Sequence, residues 1–429
     1  MAESFRPAIL PMDTFTKISY NGDGVFFQLQ PNQTYMRKQN RRFFAALVLF
    51  ATVIFTAQSV SAQEYTNRME VLQNETLRQD FTIQGEYLTE VDGFKVGMHL
   101  IADGGGKFRV VAYPGGLPGD GWKAGEPRLL GTAKLNGEEI AFNMTEGRGN
   151  ASGQDVKMPE KIEAKGKVVI ETPQRGQGGA GQGSETSRQG QGAGQFRGGQ
   201  LVKIELPATA VMPEMVFEKQ NRRSSTLGQA APAGAVVIFD GTNLDKFQPG
   251  AKMNEPQTKG QAGQGQGGGN RNTLWAEAAA KPFEKKPYTM HIEFMLSYMP
   301  QAKGQARSNS GVYIDERYEC QVLDSFGLEG ENNECGGFYT VAKPLVNMCY
   351  PPLTWQTYDI DFTPAKYDGN DKVASARVTV KHNGVVIHDN IELKGTPGRK
   401  GEGPEPLGVY LQGHGNKVQY RNLWLQYKD

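Results

Sequence analysis

One short segment of the sequence carries residue types and a spacing suited to proton transfer: Tyr318-Glu319-Cys320-Gln321-Val322-Leu323-Asp324. Side chains alternate along a strand, so Glu319 and Gln321 share one face while Tyr318, Cys320 and Val322 share the other, which is apolar. Glu319 and Gln321 therefore face a cleft or solvent. Strict alternation turns Asp324 away from them, but one bulge residue after Gln321 would re-aim it to the Glu319 side. A base and an acid would then stand together, as general acid–base chemistry requires. His414 offers a second acid in the turn Gln412-Gly413-His414-Gly415-Asn416 and would share a face with Gln412 if its strand ran that far; an ordinary surface-loop histidine is the competing reading. Asn309, Gly311 and Tyr313 line one face of another strand, where Tyr313 suits either stacking on a ring or packing in a core. Arg421 alternates with Leu423 and suits either a substrate or a carboxylate partner. Trp355 and Trp424 read as core anchors, and Gly336-Gly337 as a turn or a close backbone approach.

The elements that must position these residues are short strands. In the C-terminal half they are expected at 288–296, 311–314, 318–323, 355–362, 376–382, 385–389, 408–412 and 418–427, after an opening apolar strand at 235–239. Asn383-Gly384 signals a tight hairpin, because a type I′ turn needs positive φ at both central positions. With strong turn signals and no sustained helical period, the fold class is all-β and the second domain, 235–429, reads as a jelly-roll β-sandwich. A smaller antiparallel β domain is expected over 80–220, with strands at 95–100, 107–113, 139–142 and 167–171 and a second hairpin signal at Asn136-Gly137. Residues 173–200, rich in Gly, Gln and Ser, read as a disordered loop inside that domain, 221–234 as a linker, and 259–270 as a second low-complexity insertion.

The chain has 429 residues, more than one core usually organises. Its 47 basic and 46 acidic residues leave a net charge of +1, which gives no electrostatic footprint for a nucleic acid. Basic residues at 36–42 precede the apolar stretch 43–57 and the small residues Val60-Ser61-Ala62, a signal-peptide layout over about 36–62 within an N-terminal extension 1–62. The expected mature chain starts at Gln63 and has no membrane span; it is exported, periplasmic or extracellular. Cys335 and Cys349 suit either a disulfide with each other or the plainer reading of buried free thiols, and the free thiol is the stronger reading for Cys320. No CxxC spacing, His cluster or Asp-rich loop marks a metal, and no cofactor is expected.

Six ordered blocks carry a family resemblance: 239–244 (FDGTNL), 308–313 (SNSGVY), 318–325 (YECQVLDS), 335–339 (CGGFY), 355–360 (WQTYDI), and 411–416 (LQGHGN) followed by 420–424 (YRNLW). Over about 235–428 the sequence resembles the 3-keto-disaccharide hydrolase domain family, and the stretches at 85–87, 104–109 and 113–122 resemble the extra domain that accompanies this module in planctomycete-type proteins. The resemblance implies a concanavalin A-like jelly roll, related to family 16 glucanases and laminin-G-type lectins, and a carbohydrate substrate. Glucanases of that kind place Glu-x-Asp-x-x-Glu where this chain has Glu319-x-Gln321-x-x-Asp324. The middle carboxylate is an amide here, which counts against a double displacement needing two carboxyls ~5 Å apart. A 3-keto sugar offers another route, because the ketone acidifies the hydrogen on C2. A base removes it, the C1 oxygen leaves with help from an acid, and water adds to the enone. By residue type and position, Glu319 suits the base, Asp324 or His414 the acid, and Gln321, Gln412 or Arg421 the donors to the enolate oxygen, with Asn309 and Tyr313 also facing substrate. A carbohydrate-binding module without turnover is the alternative, because lectins share the fold; an envelope scaffold is a third.

Overall fold

The computed structural model describes the backbone of 18–21 and 24–27, then residues 62–148, 162–171, 200–209, 212–254 and 272–428. The chain divides into two compact units, 1–61 and 62–429. In the first, Ile18–Asn21 pairs antiparallel with Gly24–Phe27. The expected signal segment lies almost wholly outside the described residues, as do both low-complexity insertions. Among the described residues no helix is long and apolar enough to cross a membrane.

The second unit opens with two short helices, α1 (Arg68–Gln73) and α2 (Glu75–Ile83), capped by Asn67 and Asn74, whose side chains accept from the free first-turn N–H groups. An eight-stranded barrel follows: β1 (Gly85–Val91), β2 (Phe94–Gly104), β3 (Lys107–Pro114), β4 (Arg128–Asn136), β5 (Glu139–Arg148), β6 (Ile162–Glu171), β7 (Leu201–Leu206) and β8 (Met215–Gln220). Each strand pairs antiparallel with the next, and β8 closes onto β1 through Glu218↔Leu88, so no edge is left to pair with another chain. The expected β domain is therefore a closed up-and-down barrel. Its β4–β5 turn differs from expectation by one residue. Asn136 pairs with Glu139, so Gly137 and Glu138 make the turn and only Gly137 takes positive φ, at 64°.

Two facing sheets make up most of the rest. The larger runs β10 (Met253–Asn254), β11 (Thr273–Trp275), β20 (Gln419–Tyr427), β13 (Tyr288–Met295), β16 (Trp355–Thr363), β17 (Ala376–His382) and β18 (Val385–Leu393), with β9 (Val236–Phe239) also on β20. The smaller runs β12 (Ala278–Ala279), β19 (Tyr410–Leu411), β14 (Ser310–Ile314) and β15 (Tyr318–Val322). Their inward side chains, among them Ile292, Phe294, Tyr358 and Val380 from one sheet and Val312, Cys320, Val322 and Leu411 from the other, share one core. At about 1.5–3 kcal/mol for each large side chain fully buried, this core fixes the registers that aim the polar faces. The β17–β18 hairpin turns on Asn383-Gly384, both at positive φ as the sequence predicts. All three cysteines are free and buried, so Cys335 and Cys349 form no disulfide.

The barrel and the sandwich are joined without a gap. Ile101, Val111 and Tyr113 of the barrel lie in the sandwich core. Charged contacts cross the same seam: Arg307 donates to Asp324 at 2.6 Å and lies near Asp103, and linker residue Arg222 pairs with Glu86 of β1.

Candidate active site

Glu319 projects from the outer face of the small sheet, opposite Tyr313 on β14, while Gln321 stands opposite Gly311. The alternation predicted for this strand holds, and Tyr318, Cys320 and Val322 enter the core. Glu319 is only 4 % exposed, because the segment after β18 folds over it. Thr396 Oγ1 in that segment accepts the Glu319 backbone N–H at 2.8 Å. Tyr313 Oη lies 3.0 Å from Glu319 Oε2 and 3.1 Å from the Pro397 carbonyl. No cation pairs with the Glu319 carboxyl among the described residues. Burial pushes its pKa up to about 7, against a smaller downward pull from the Tyr313 hydroxyl, so both protonation states are present at neutral pH. Burial also drives Tyr313 well above the usual tyrosine value, which keeps its phenol protonated.

Gly311 leaves room beneath this carboxyl. A Cβ there would lie 2.4 Å from Glu319 Oε1. Gln412, just past the end of β19, continues the row: its backbone N–H donates to the Gly311 carbonyl, its Nε2 reaches Tyr313 Oη at 3.5 Å, and its Oε1 is buried with no partner among the described residues. Gln321 Nε2 donates to Asn309 Oδ1 at 2.7 Å and to the Ser310 carbonyl at 3.1 Å. Asn309 in turn donates to Gln305, and its backbone N–H is held by Asn416 Oδ1. Glu319, Tyr313, Gln412, Gln321 and Asn309 thus lie together on one polar face.

Three expected residues do not join them through any contact. Asp324 lies beyond the end of β15 at Val322, and no bulge returns it to the Glu319 side; its side chain is buried in the ion pair with Arg307 at the barrel seam. Arg421 sits on the large sheet, not the small one, donating to Glu293 at 2.6 Å and covering the Trp355 ring at 3.9 Å. It is a sheet-stabilising cation with no place beside Glu319. His414 is exposed in the turn after β19, which ends at Leu411, so it does not share a strand face with Gln412. Tyr313 is 1 % exposed and wedged between Glu319 and Pro397, which leaves no ring face open for a sugar to stack on.

Sequence reasoning missed the covering segment and the aromatic beside it. Tyr410 lies opposite Tyr313, donates to Glu277 at 3.2 Å, and has the Arg399 guanidinium 3.8 Å above its ring. Alternation from Gln412 would have found Tyr410, whereas nothing periodic marks Thr396, Pro397 or Arg399. A groove of about 450 Å³ opens beside this segment, lined by Lys372, Thr396, Lys400 and Glu402 among others. A larger one of about 780 Å³ lies on the barrel among Lys107, Thr132, Phe142 and Lys165. The Glu319 face, with a buried carboxyl whose pKa is raised toward neutrality, is the stronger candidate for chemistry. Among the described residues no cluster of His, Cys, Asp and Glu could hold a metal ion.

Residues 234–426 match the family described as a 3-keto-alpha-glucoside-1,2-lyase-like domain. No functionally curated protein matches the chain. Among solved structures, a candidate glycosyl hydrolase from Parabacteroides distasonis is 24 % identical with a TM-score of 0.38, covering 46 % of this chain and 86 % of its own. A second from that organism is 16 % identical at 0.28, covering 46 % and 95 %. Trypanosoma rangeli sialidase is 10 % identical at 0.25, covering 80 % and 60 %. Structural agreement at that level carries no weight for function, and the match to the family leaves the barrel outside it. Every residue of the Glu319 face lies within the segment 234–426 that matches the 3-keto-alpha-glucoside-1,2-lyase-like family.

Proposed function

We propose that the chain is an exported enzyme that cleaves the glycosidic bond of 3-keto-disaccharides or 3-keto-glycosides by elimination followed by addition of water, with Glu319 as the proton-transfer group. The observation that carries this reading is a buried carboxyl with no cation beside it and a pKa near neutrality, on the polar face of a lyase-like domain. Ionised Glu319 takes the hydrogen from C2; the C–H electrons form the C1=C2 bond through the enolate, and the C1–O bond breaks with its pair on the leaving oxygen. That oxygen takes up a proton, and water then adds across the enone. Gln412 supplies an amide N–H group for the enolate oxygen, whereas both amide hydrogens of Gln321 are taken by Asn309 and the Ser310 carbonyl. His414, the one ionisable side chain of the 412–416 turn, is the candidate for protonating the leaving oxygen, since Asp324 is committed to Arg307. Export rests on the charged-then-apolar pattern at 36–62.

The test is product formation by the mature chain on 3-keto-trehalose, 3-keto-sucrose and the parent sugars, followed by mass spectrometry beside Glu319→Gln. Cleavage of the keto-sugars alone, reduced ~10²–10⁴-fold by the substitution, is the expected result. Binding without cleavage would make the domain a carbohydrate-binding module, and unchanged turnover in the variant would remove Glu319 from the mechanism.

A further inference from the structure

We propose that Tyr313 is a positioning residue that links closure of the segment 394–403 to the proton on Glu319. The phenol has one hydrogen and two acceptors in reach, Glu319 Oε2 at 3.0 Å and the Pro397 carbonyl at 3.1 Å. A carbonyl can only accept. Tyr313 can therefore donate to Pro397 only when Glu319 is protonated and donates its own hydrogen to Tyr313 Oη. When Glu319 is ionised it takes the phenolic hydrogen, and the Pro397 carbonyl loses its donor. Gln412 Nε2 can donate weakly to the phenol oxygen in either state.

The contact is close enough for one hydrogen to matter. A Cβ on Gly398, whose φ is +103°, would fall 2.6 Å from Tyr313 Oη, so the segment lies directly on the phenol. Its other ties leave the Glu319 carboxyl alone: Thr396 N–H to the Arg317 carbonyl at 2.9 Å, the Glu319 backbone N–H to Thr396 Oγ1 at 2.8 Å, Lys400 N–H to the Glu316 carbonyl at 3.1 Å, Arg399 to Glu316 at 2.7 Å, Arg317 Nε to the Gly401 carbonyl at 2.9 Å, and, toward its end, Tyr318 and Lys372 to Glu402 and Lys285 to the Gly403 carbonyl. With the segment closed, Glu319 is sealed from any sugar, so entry requires it to lift.

Among the described residues, the ionisable groups that face this pair or lie behind it in the core are few. Tyr313 comes from β14, Cys320 from β15 beside Glu319, Tyr410 from β19, Tyr420 from β20 and Arg399 from the segment itself. Burial raises the phenols and the thiol, so they hold their protons at neutral pH while Glu319, at about 7, titrates there. Asp315, which burial raises to about 6, accepts the Leu407 N–H at 3.2 Å beyond the far end of the segment and provides a separate titration to monitor there. Resting on Glu319 as the proton-transfer group, the linkage has a direction: the ionised form that can act as base is the form that releases the cover, and proton uptake restores it.

Hydrogen exchange of the full chain without substrate, from about pH 5.5 to about pH 8.5 and corrected for intrinsic rates, tests the linkage. The reporters are the Thr396 and Lys400 amides, with Leu407 and the β16 amides as controls. Wild-type protection at the two reporters is expected to fall roughly tenfold as pH rises through about 7, the effect of losing one buried hydrogen bond. Glu319→Gln, whose amide always donates, should keep the segment protected at every pH. Tyr313→Phe should leave it weakly protected and insensitive to pH while β16 stays protected. A pH-dependent fall that survives in Glu319→Gln overturns the proposal, and so does Tyr313→Phe exchange that follows the wild type. If Tyr313→Phe does not fold, Glu319→Gln alone decides. Because no substrate is present, an inactive protein with the linkage intact would refute the enzymatic reading only, and an active one without it would refute the linkage only.

Discussion

Glu319 and Glu86 are both almost fully buried, at 4 % and 2 % exposed, and their protons behave in opposite ways. Burial raises the pKa of either carboxyl. At Glu86 the effect is reversed by Arg222, which donates through Nε at 2.9 Å and also contacts Oε1, and by His99 at 3.2 Å, so the pKa is held down to about 2. At Glu319 the neighbour is a neutral phenol, and the pKa stays near 7. Burial alone therefore does not mark a reactive carboxyl; an absent cation does. Glu86 joins the barrel to the linker and the sandwich, since Arg222 also donates to the Pro118 carbonyl and its guanidinium lies over the Tyr350 ring.

The comparison breaks most visibly if the charges at Glu86 are unbalanced. Glu86→Gln leaves the Arg222 guanidinium buried beside a neutral amide, and losing one partner of a buried pair costs about 3–5 kcal/mol. Urea unfolding is the measurement, and a cost below about 1 kcal/mol would show that the pair is wetter than its geometry indicates.

A somewhat smaller effect sharpens the contrast through pH. The raised pKa of Glu319 favours the folded state below its unfolded value near 4.5, and that stabilisation is lost as pH rises through about 7. The depressed pKa of Glu86 acts in the opposite sense, present above about 4.5 and lost as pH falls toward about 2. Each effect amounts to at most roughly 3–4 kcal/mol. Thermal unfolding across these windows should show Glu319→Gln removing the decline between about pH 4.5 and about pH 7 while the acid limb persists. An unchanged decline in the variant would mean that Glu319 titrates as a solvated carboxyl does.

How much of this could be read from the sequence depends on the range of the interaction. Alternation on β15 placed Glu319 with Gln321 and sent Cys320 to the core, because a period of two is enforced locally wherever one face is buried. The Asn383-Gly384 turn was legible for a similar reason, since two adjacent positive φ angles favour those residues. Asp324 was not, because its partner Arg307 is 17 residues away and the strand ends before it. Arg421 was assigned to the wrong neighbourhood because its strand belongs to the opposite sheet, and strand spacing alone does not say which sheet a strand joins. Closure of the barrel through β8 and β1 is a pairing across more than a hundred residues, and the alternation within each strand contains no trace of it.

The smallest expected effect tests whether Glu319 is held as tightly as its lack of a charged partner demands. Gly311→Ala adds one methyl at ordinary φ, so the backbone accepts it, but the new carbon would stand 2.4 Å from Glu319 Oε1 and 3.0 Å from its Cγ. Either the carboxyl rotates away from Tyr313 or β14 and β15 spread, and overpacking of this kind costs about 1–3 kcal/mol. A rotated carboxyl meets more water and titrates closer to an ordinary glutamate, so the pH at which turnover of a keto-sugar half-appears should move downward as its maximum falls. The Glu86 side of the comparison should not respond, since Gly311 touches none of its partners. The pH–rate profile of Gly311→Ala beside its acid unfolding limb separates the two: a lower midpoint with an unchanged acid limb is expected, whereas an unmoved midpoint would mean that Gly311 leaves room the carboxyl does not use.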